Sequence, residues 1–343
     1  MKKDLHRLTT PQISLDSIWE KPGIVIIDVR SPKEFKDGSI PGAHNIPLLT
    51  DIERSLIGTL YKQYGQRPAI EKGYELFEPK TAAFLNQFKL FPHNQEIAVL
   101  CARGGMRSRV ITSFLCAHDY KGVQVTGGYK AFRNWNLAKL DQFILNHPVI
   151  LHGKTGVGKT LVLNKLDNAL DLEGLAQHRG SMFGAIGKQP LTQKAFDADL
   201  LKKLESLDNT HPVFIEGESR KIGNITLPAR LFEQMKTGRS ILLDASVSTR
   251  AIRTVDEYID KYPESRGEIR KTILALKRDL GKANVQELIA EFDNEQYQAC
   301  FEFILLNYYD RKYDYSMKSI NFELTISSES IDEAARAITA HFA

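Results

Sequence analysis

The chain is poor in cysteine, in tryptophan and in long apolar runs, and each shortage narrows its class. Its three cysteines, Cys101, Cys116 and Cys300, form an odd set without the close paired spacing of a metal knuckle. A disulfide framework is therefore not expected. No stretch approaches the roughly 18 to 20 consecutive apolar residues that a membrane-spanning helix needs. The basic start, Met1 to Arg7, has no apolar run behind it, so no secretory signal is expected. Free thiols without such a signal point to the reducing cytoplasm, and no membrane partner is expected. Neither sign of charge dominates: 46 basic residues against 42 acidic ones leave a net charge of +4. That balance permits a polyanionic partner without requiring one. Internal repeats are also lacking.

What remains is the composition of a folded enzyme. Of its 343 residues, 42% are hydrophobic and 26% charged, as in globular proteins and unlike disordered ones. The length exceeds one ordinary core and suggests two domains. Short β-branched runs at Gly23 to Arg30, Glu96 to Cys101 and Gly122 to Thr126, with a helical stretch from Arg109 to Ala117, read as buried strands alternating with helices. A second series begins at Pro148 to His152 and continues at Pro212 to Glu216 and Ser240 to Asp244. From Thr254 onward the pattern is mostly helical, with Ile273, Leu276 and Leu280 on one face. The expected fold class is α/β: a parallel-sheet domain over residues 1–140, then a second α/β domain with a helical C-terminal part over 141–343.

Function in such sheets gathers at the carboxyl ends of strands, and Cys101 lies at one. The loop Cys101-Ala-Arg-Gly-Gly-Met-Arg-Ser108 puts Arg103, Gly104, Gly105 and Arg107 around the thiol, just before a helix. Glycines let successive N–H groups curl around an anion, and the arginines and helix N-terminus add positive charge. All three favour thiolate, so Cys101 is expected below the free-cysteine value of about 8.5. Cys116 and Cys300, in apolar helical surroundings, are expected in the core.

The second domain opens on a phosphate-binding pattern. Gly153, Gly156 and Gly158 precede Lys159 and Thr160, directly after a strand and before the apolar stretch Leu161 to Leu166. That context is what a P-loop requires. Its glycines present N–H groups to phosphate oxygens, Lys159 offsets phosphate charge and Thr160 can ligate Mg²⁺. Either a nucleoside triphosphate or a diphosphate ester would satisfy these groups. Asp244 is the candidate partner for Mg²⁺, with Glu216 competing.

Asp28 to Pro47 resembles the early motif of rhodaneses, and Thr126 to Trp135 the late one, with the cysteine loop between them. The resemblance implies a rhodanese-like domain in which Asp28, Arg30, Glu34 and His44 brace the neighbourhood of the thiol. Rhodanese and P-loop domains in one chain, with His178 to Gly184, Glu216 to Gly223 and Tyr308 to Tyr313, resemble the tRNA 2-selenouridine synthase family. Arg311 stands where that family's pattern has a proline.

The family resemblance implies two-step remodelling of wobble 2-thiouridine in tRNA. Geranyl diphosphate would alkylate the sulfur, and selenophosphate would then supply selenium while geranyl thiol leaves. It assigns the geranyl diphosphate to the P-loop with Mg²⁺, and selenium to Cys101, as perselenide carrier or as nucleophile toward selenophosphate. No organic prosthetic group is implied. Arg179, Ser181, Glu216 and Arg220 become candidate contacts to diphosphate or tRNA, with structural pairing to Glu216 or Glu218 the plainer role for the arginines.

A surface for tRNA is suggested by Arg270, Lys271, Lys277 and Arg278 along a helix from Glu268 to Leu280. A solvated helix face accounts for them equally well. Tyr308, Tyr309 and Tyr313 could stack a base, although core packing is the simpler reading. Two other functions fit the two loops: a rhodanese-type sulfurtransferase with a nucleotide-dependent second domain, and a non-enzymatic nucleotide-controlled anion-binding regulator. The intact cysteine loop counts against the second, and residues 178–223 against the first.

Overall fold

The structure, a computed structural model, describes residues 9–343 apart from the side chains of 314–316; the basic segment Met1 to Arg7 lies outside the described residues. The chain divides into two compact units, Met1–Lys139 with Asp197–Asp199, and Leu140–Phe196 with Leu200–Ala343.

The first unit is built on β1 (Gln12–Ile13), β2 (Val25–Asp28), β3 (His44–Asn45), β4 (Glu96–Leu100) and β5 (Lys121–Val125). They form a parallel sheet in the order β1-β5-β4-β2-β3. Apolar residues run continuously through its centre because both faces are covered. Phe77, Phe84, Phe88 and Ile111 pack on one face, and Ile18, Ile40 and Phe132 on the other. Parallel pairing brings the ends of β2, β4 and β5 to one edge, where the chain continues into Cys101. Two helices that periodicity had not singled out, Asp51–Tyr64 and Gln66–Phe77, lie between β3 and β4 and pack on each other.

The second unit contains β6 (Pro148–His152), β7 (Ala169–Leu170), β8 (Val213–Glu216), β9 (Lys221–Ile222), β10 (Ile225–Thr226), β11 (Arg239–Asp244) and β12 (Leu324–Ser327). Its parallel sheet has the order β12-β11-β6-β8-β7, and β9 with β10 makes a separate antiparallel ladder. β6 is central, so the P-loop leaves the middle of the sheet. A helical layer follows, with Phe183, Tyr258, Ile273, Leu276, Phe301 and Ile304 in its core.

Three local expectations change. The C-terminal part is not wholly helical: β12 pairs with β11 from Ile241↔Leu324 to Asp244↔Ser327. Four residues are too short a run for periodicity to reveal, and only the open edge of β11 makes them a strand. The helix expected from Glu268 to Leu280 is two, Arg266–Ala275 and Lys277–Leu280, divided at Leu276. Arg311 lies within the helix Asp310–Ser316 and donates to Asn307 Oδ1 at 3.3 Å, so no proline-type turn occurs there.

Candidate functional site

Cys101 is 3% exposed, and its Sγ lies 3.2 Å from Ser108 Oγ. Behind it, Gln124 Nε2 donates to the carbonyls of Gly104 (2.7 Å) and Gly105 (3.1 Å) and to Ser108 Oγ (3.0 Å). Those bonds fix the two carbonyls and with them the course of the loop around the thiol. No side chain caps the helix Met106–Cys116, whose N-cap is Gly105, so its first amides remain open to an anion. The late Gly-Gly pair is needed for contact: Gly128, at φ +58°, packs against the carbonyl of Cys101 so closely that a Cβ would clash. The Tyr129 N–H donates to that carbonyl at 2.9 Å.

Arg107 does not stand free beside the thiol. Its guanidinium makes two bonds to Glu34, 2.7 and 3.1 Å, and Arg54 adds a 3.5 Å ion pair to the same carboxylate. Burial raises the Glu34 pKa, but Arg107, the Ser31 backbone and Arg54 outweigh it and bring the carboxyl down to about 2. Glu34 thus braces the cysteine loop, and Ser31 closes a capping box with it. Asp28 and Arg30 form a buried pair at 2.6 Å, with Arg30 stacked over Tyr129 at 3.9 Å. Arg103 is exposed and lines the cleft above Cys101. His44 is exposed and packs edge-on against Phe91, away from the loop.

The P-loop is gripped from outside by residues that carry no sequence signature. Arg250 Nε donates to Thr155 O at 2.8 Å, and its guanidinium is paired with buried Asp310 at 2.6 and 2.9 Å. Arg253 and Ser328 Oγ each donate to Val157 O at 2.8 Å. With its carbonyls held outward, the loop turns N–H groups inward. Gly156, at φ +80°, has no room for a side chain, since a Cβ would come 2.7 Å from Arg250 O. Lys159 Nζ donates to Gly153 O at 3.3 Å and lies 3.9 Å from Glu218. Burial lowers the pKa of this ammonium, yet Tyr313, Glu218, Glu173 and Glu216 outweigh it and raise it.

Opposite Lys159 stand three carboxylates, Glu173, Glu216 and Glu218, with one oxygen each within 4.8 Å of the others. Thr160 Oγ1 donates to Glu216 at 3.3 Å, and the Glu173 N–H to the other Glu216 oxygen at 2.5 Å. Burial, then the charge of Glu218, pushes Glu173 up to about 8 against the pull of Lys159. Burial and the charges of Glu173, Asp171 and Glu218 hold Glu216 well above the usual range. Carboxylates that strain to stay protonated, beside a hydroxyl, form an oxygen-rich set suited to a hard divalent cation.

A cleft of about 810 Å³ joins these groups, lined by Gly153, Gly156, Gly158, Lys159, Thr160, Arg179 and Ser181 among others. Arg179 is committed to Glu257 at 2.8 Å and to the Ile186 carbonyl at 2.7 Å, beside the Tyr258 ring. Its partner is therefore Glu257, not Glu216 or Glu218. Arg220 and Asp244 are exposed and fall outside the described lining. Asp244 ends β11, whereas the strand end that meets Thr160 is that of β8, so Glu216 takes the position expected of Asp244. Tyr308 and Tyr309 are buried in the helical core with Tyr313 packed beside them.

Cys300 is buried as expected, whereas Cys116 is exposed. It is the last residue of its helix, where the apolar face has run out, and its thiol reaches Gly122 O at 3.5 Å. Of the basic stripe, Arg270 is tied to Asp293 by two 2.9 Å bonds, while Lys271, Lys277 and Arg278 are exposed.

A parallel-sheet domain with a thiol in an arginine and glycine loop, followed by a P-loop domain with an acidic trio, defines a two-domain α/β enzyme of the rhodanese and P-loop type. Residues 12–134 match the rhodanese-like domain family and residues 146–342 the family described as the tRNA 2-selenouridine synthase AAA domain. The tRNA 2-selenouridine synthase of Sulfurovum sp. (strain NBC37-1) is 33% identical over 85% of this chain and 88% of its own length. That of Nitrosomonas europaea is 37% identical over 72% of this chain and 67% of its own. A solved N-terminal domain from Clostridium difficile 630 is 34% identical, covering 36% of this chain and 97% of that one at a TM-score of 0.35. The chain belongs to the tRNA 2-selenouridine synthase family, whose named members are enzymes of tRNA modification. Among the described residues, no helix is long and apolar enough to cross a membrane.

Proposed function

We propose that this chain converts wobble 2-thiouridine of tRNA to 2-selenouridine in two steps, the first served by the P-loop and the second by Cys101. The observation that supports this most is the pairing of a cleft-lining thiol in an amide and arginine cradle with a P-loop lysine facing buried carboxylates. Each is an anion site, and the two steps need two different anions.

In the first step the 2-thio sulfur attacks the terminal carbon of geranyl diphosphate. The carbon–oxygen bond breaks, diphosphate leaves, and the base loses its N3 proton. The P-loop amides and Lys159 hold the diphosphate and stabilise its growing charge. Thr160, Glu216, Glu173 and Glu218 would hold Mg²⁺, which supplies further charge stabilisation to the departing diphosphate. In the second step selenium from selenophosphate adds to C2 and the carbon–sulfur bond breaks. Geranyl thiol leaves with a proton, the selenium–phosphorus bond breaks, and N3 regains its proton. Alkylation matters because sulfur leaves far more readily as a thiol than as a doubly charged sulfide. Cys101 serves this exchange as nucleophile toward selenophosphate: the phosphoryl group passes to its thiolate, selenium goes to C2, and water then returns phosphate and the free thiol.

Lys271, Lys277 and Arg278 are the candidate contacts to the tRNA backbone, so binding should weaken with salt. The proposed setting is the reducing cytoplasm, where a catalytic thiol stays free. The test is to supply thiouridine-containing tRNA with geranyl diphosphate, with selenophosphate and with both, and to weigh the nucleosides. Geranylated nucleoside with the first donor and selenated nucleoside with both is the expected pattern. Formation of neither would defeat the proposal.

A further inference from the structure

Beside Cys101 the first unit holds a cleft of about 850 Å³, larger and more apolar than a small selenium or sulfur anion requires. Its polar end is the loop itself: Cys101, Arg103, Gly105 and Arg107. Its other wall comes from the helices Asp51–Tyr64 and Gln66–Phe77, which set Ile57, Ala69, Ile70 and Phe77 in it with Arg54 and Lys62, and from Leu49 before them and Val110 after the thiol. The helix Asp51–Tyr64 has no fully buried residue, although it carries Leu56 at 42% and Tyr61 at 59% exposure. Of its apolar residues, Ile57 and Tyr61 line the cleft, so part of this little-buried helix stays open to it. An anion cradle that runs into an apolar wall fits a ligand with a charged donor at one end and a hydrocarbon at the other.

We propose that this wall receives the isoprenoid chain of the S-geranylated base while selenium is delivered beside Cys101. The inference rests on the function proposed above and adds where the chain lies in its second step. The chain stays tied to the base through its sulfur until the C2–S bond breaks, so it must lie next to the place of selenium delivery. The wall of Ile57, Ile70 and Phe77 adjoins the cysteine loop and shields a hydrocarbon from water. An unalkylated 2-thiouridine has nothing to fill it. The cleft thereby makes selenation wait for geranylation, because only the alkylated base gains the apolar contacts.

The test compares two substrates in the second step alone, using the full-length protein and selenophosphate. One is an anticodon-arm RNA carrying S-geranyl-2-thiouridine and the other carries S-methyl-2-thiouridine. The unsubstituted protein should prefer the geranyl substrate in kcat/KM by about tenfold or more. Ile57→Asn and Ile70→Asn should erase most of that preference, chiefly by raising KM for the geranyl substrate. Ile57→Ala and Ile70→Ala, which shorten the wall without burying a polar group, should reduce it in the same order and guard against a misfolded variant. Equal conversion of both substrates by the unsubstituted protein would overturn the inference and leave the proposed function standing. A preference untouched by all four substitutions would also overturn it, as would one lost instead on Leu161→Asn in the P-loop cleft. Conversion of neither substrate would defeat the proposed second step, and the inference with it.

Discussion

The cysteine loop and the P-loop both leave the end of a parallel strand, and in the proposed function each holds an anion, but their electrostatic surroundings are opposite. Around Cys101 the nearest carboxylate, Glu34, is engaged by Arg107 and Arg54 and held far down the acid scale. The cradle there is balanced with protein groups alone. Around Lys159, three carboxylates face one ammonium, and burial pushes all three up. That cradle carries more acidic than basic groups, which is the setting the proposed Mg²⁺ would balance. The supports differ as well: Gln124 and a Gly-Gly backbone contact anchor the first loop, while Arg250, Arg253 and Ser328 anchor the second. A glycine loop presents amides in either case, and its surroundings decide whether it works alone or with a metal.

The sharpest break in this comparison is Lys159→Ala. It should lower geranylation by about a hundredfold or more, as loss of a charge-stabilising donor does, measured as geranylated nucleoside formed per minute. Next is Arg250→Ala, which leaves buried Asp310 only its longer 3.5 Å pair with Lys154 and frees Thr155 O. Breaking one side of such a buried pair costs about 3–5 kcal/mol, read from denaturant unfolding with and without diphosphate. The matching change at the other loop, Gln124→Ala, removes neutral hydrogen bonds and should cost about 1–3 kcal/mol. A Gln124 effect equal to that of Arg250 would erase the distinction between the two supports.

The pH dependence separates the loops further. Glu173 is raised in the folded state, so its contribution to stability is full below about 4.5 and lost as pH rises through about 8. Glu34 is depressed, so its contribution is present above about 4.5 and lost as pH falls through about 2. Thermal melting of the metal-free protein should therefore decline as pH rises from about 4.5 to about 8, a decline reduced by Mg²⁺. The acid-side loss should not respond to Mg²⁺. Absence of any Mg²⁺ effect between pH 7 and 9 would contradict the reading of the trio as a cation site.

The two loops were legible in the sequence because each is contiguous: strand, glycines, charged residues and helix follow one another within about ten residues. Their supports were not. Glu173, Glu218, Arg250, Asp310 and Ser328 reach the P-loop from separate elements, and no spacing links them. Gln124 looks like an ordinary strand residue until β5 is laid beside β4. Glu216 and Asp244 both end apolar strands next to β6, and only the Thr160 contact separates them. The sheets were legible from β-branched runs, whereas β12 was hidden by its length. The helices Asp51–Tyr64 and Gln66–Phe77 do carry an amphipathic pattern that periodicity could have shown, and the little that they bury leaves the cleft beside Cys101 open.

The division of labour between the loops is tested most directly by Cys101→Ala, incubated with thiouridine-containing tRNA, geranyl diphosphate and selenophosphate together, followed by mass analysis of the nucleosides. S-geranyl-2-thiouridine should accumulate and 2-selenouridine should be missing. Selenated nucleoside at the unsubstituted level, or loss of the geranylated one, would contradict it.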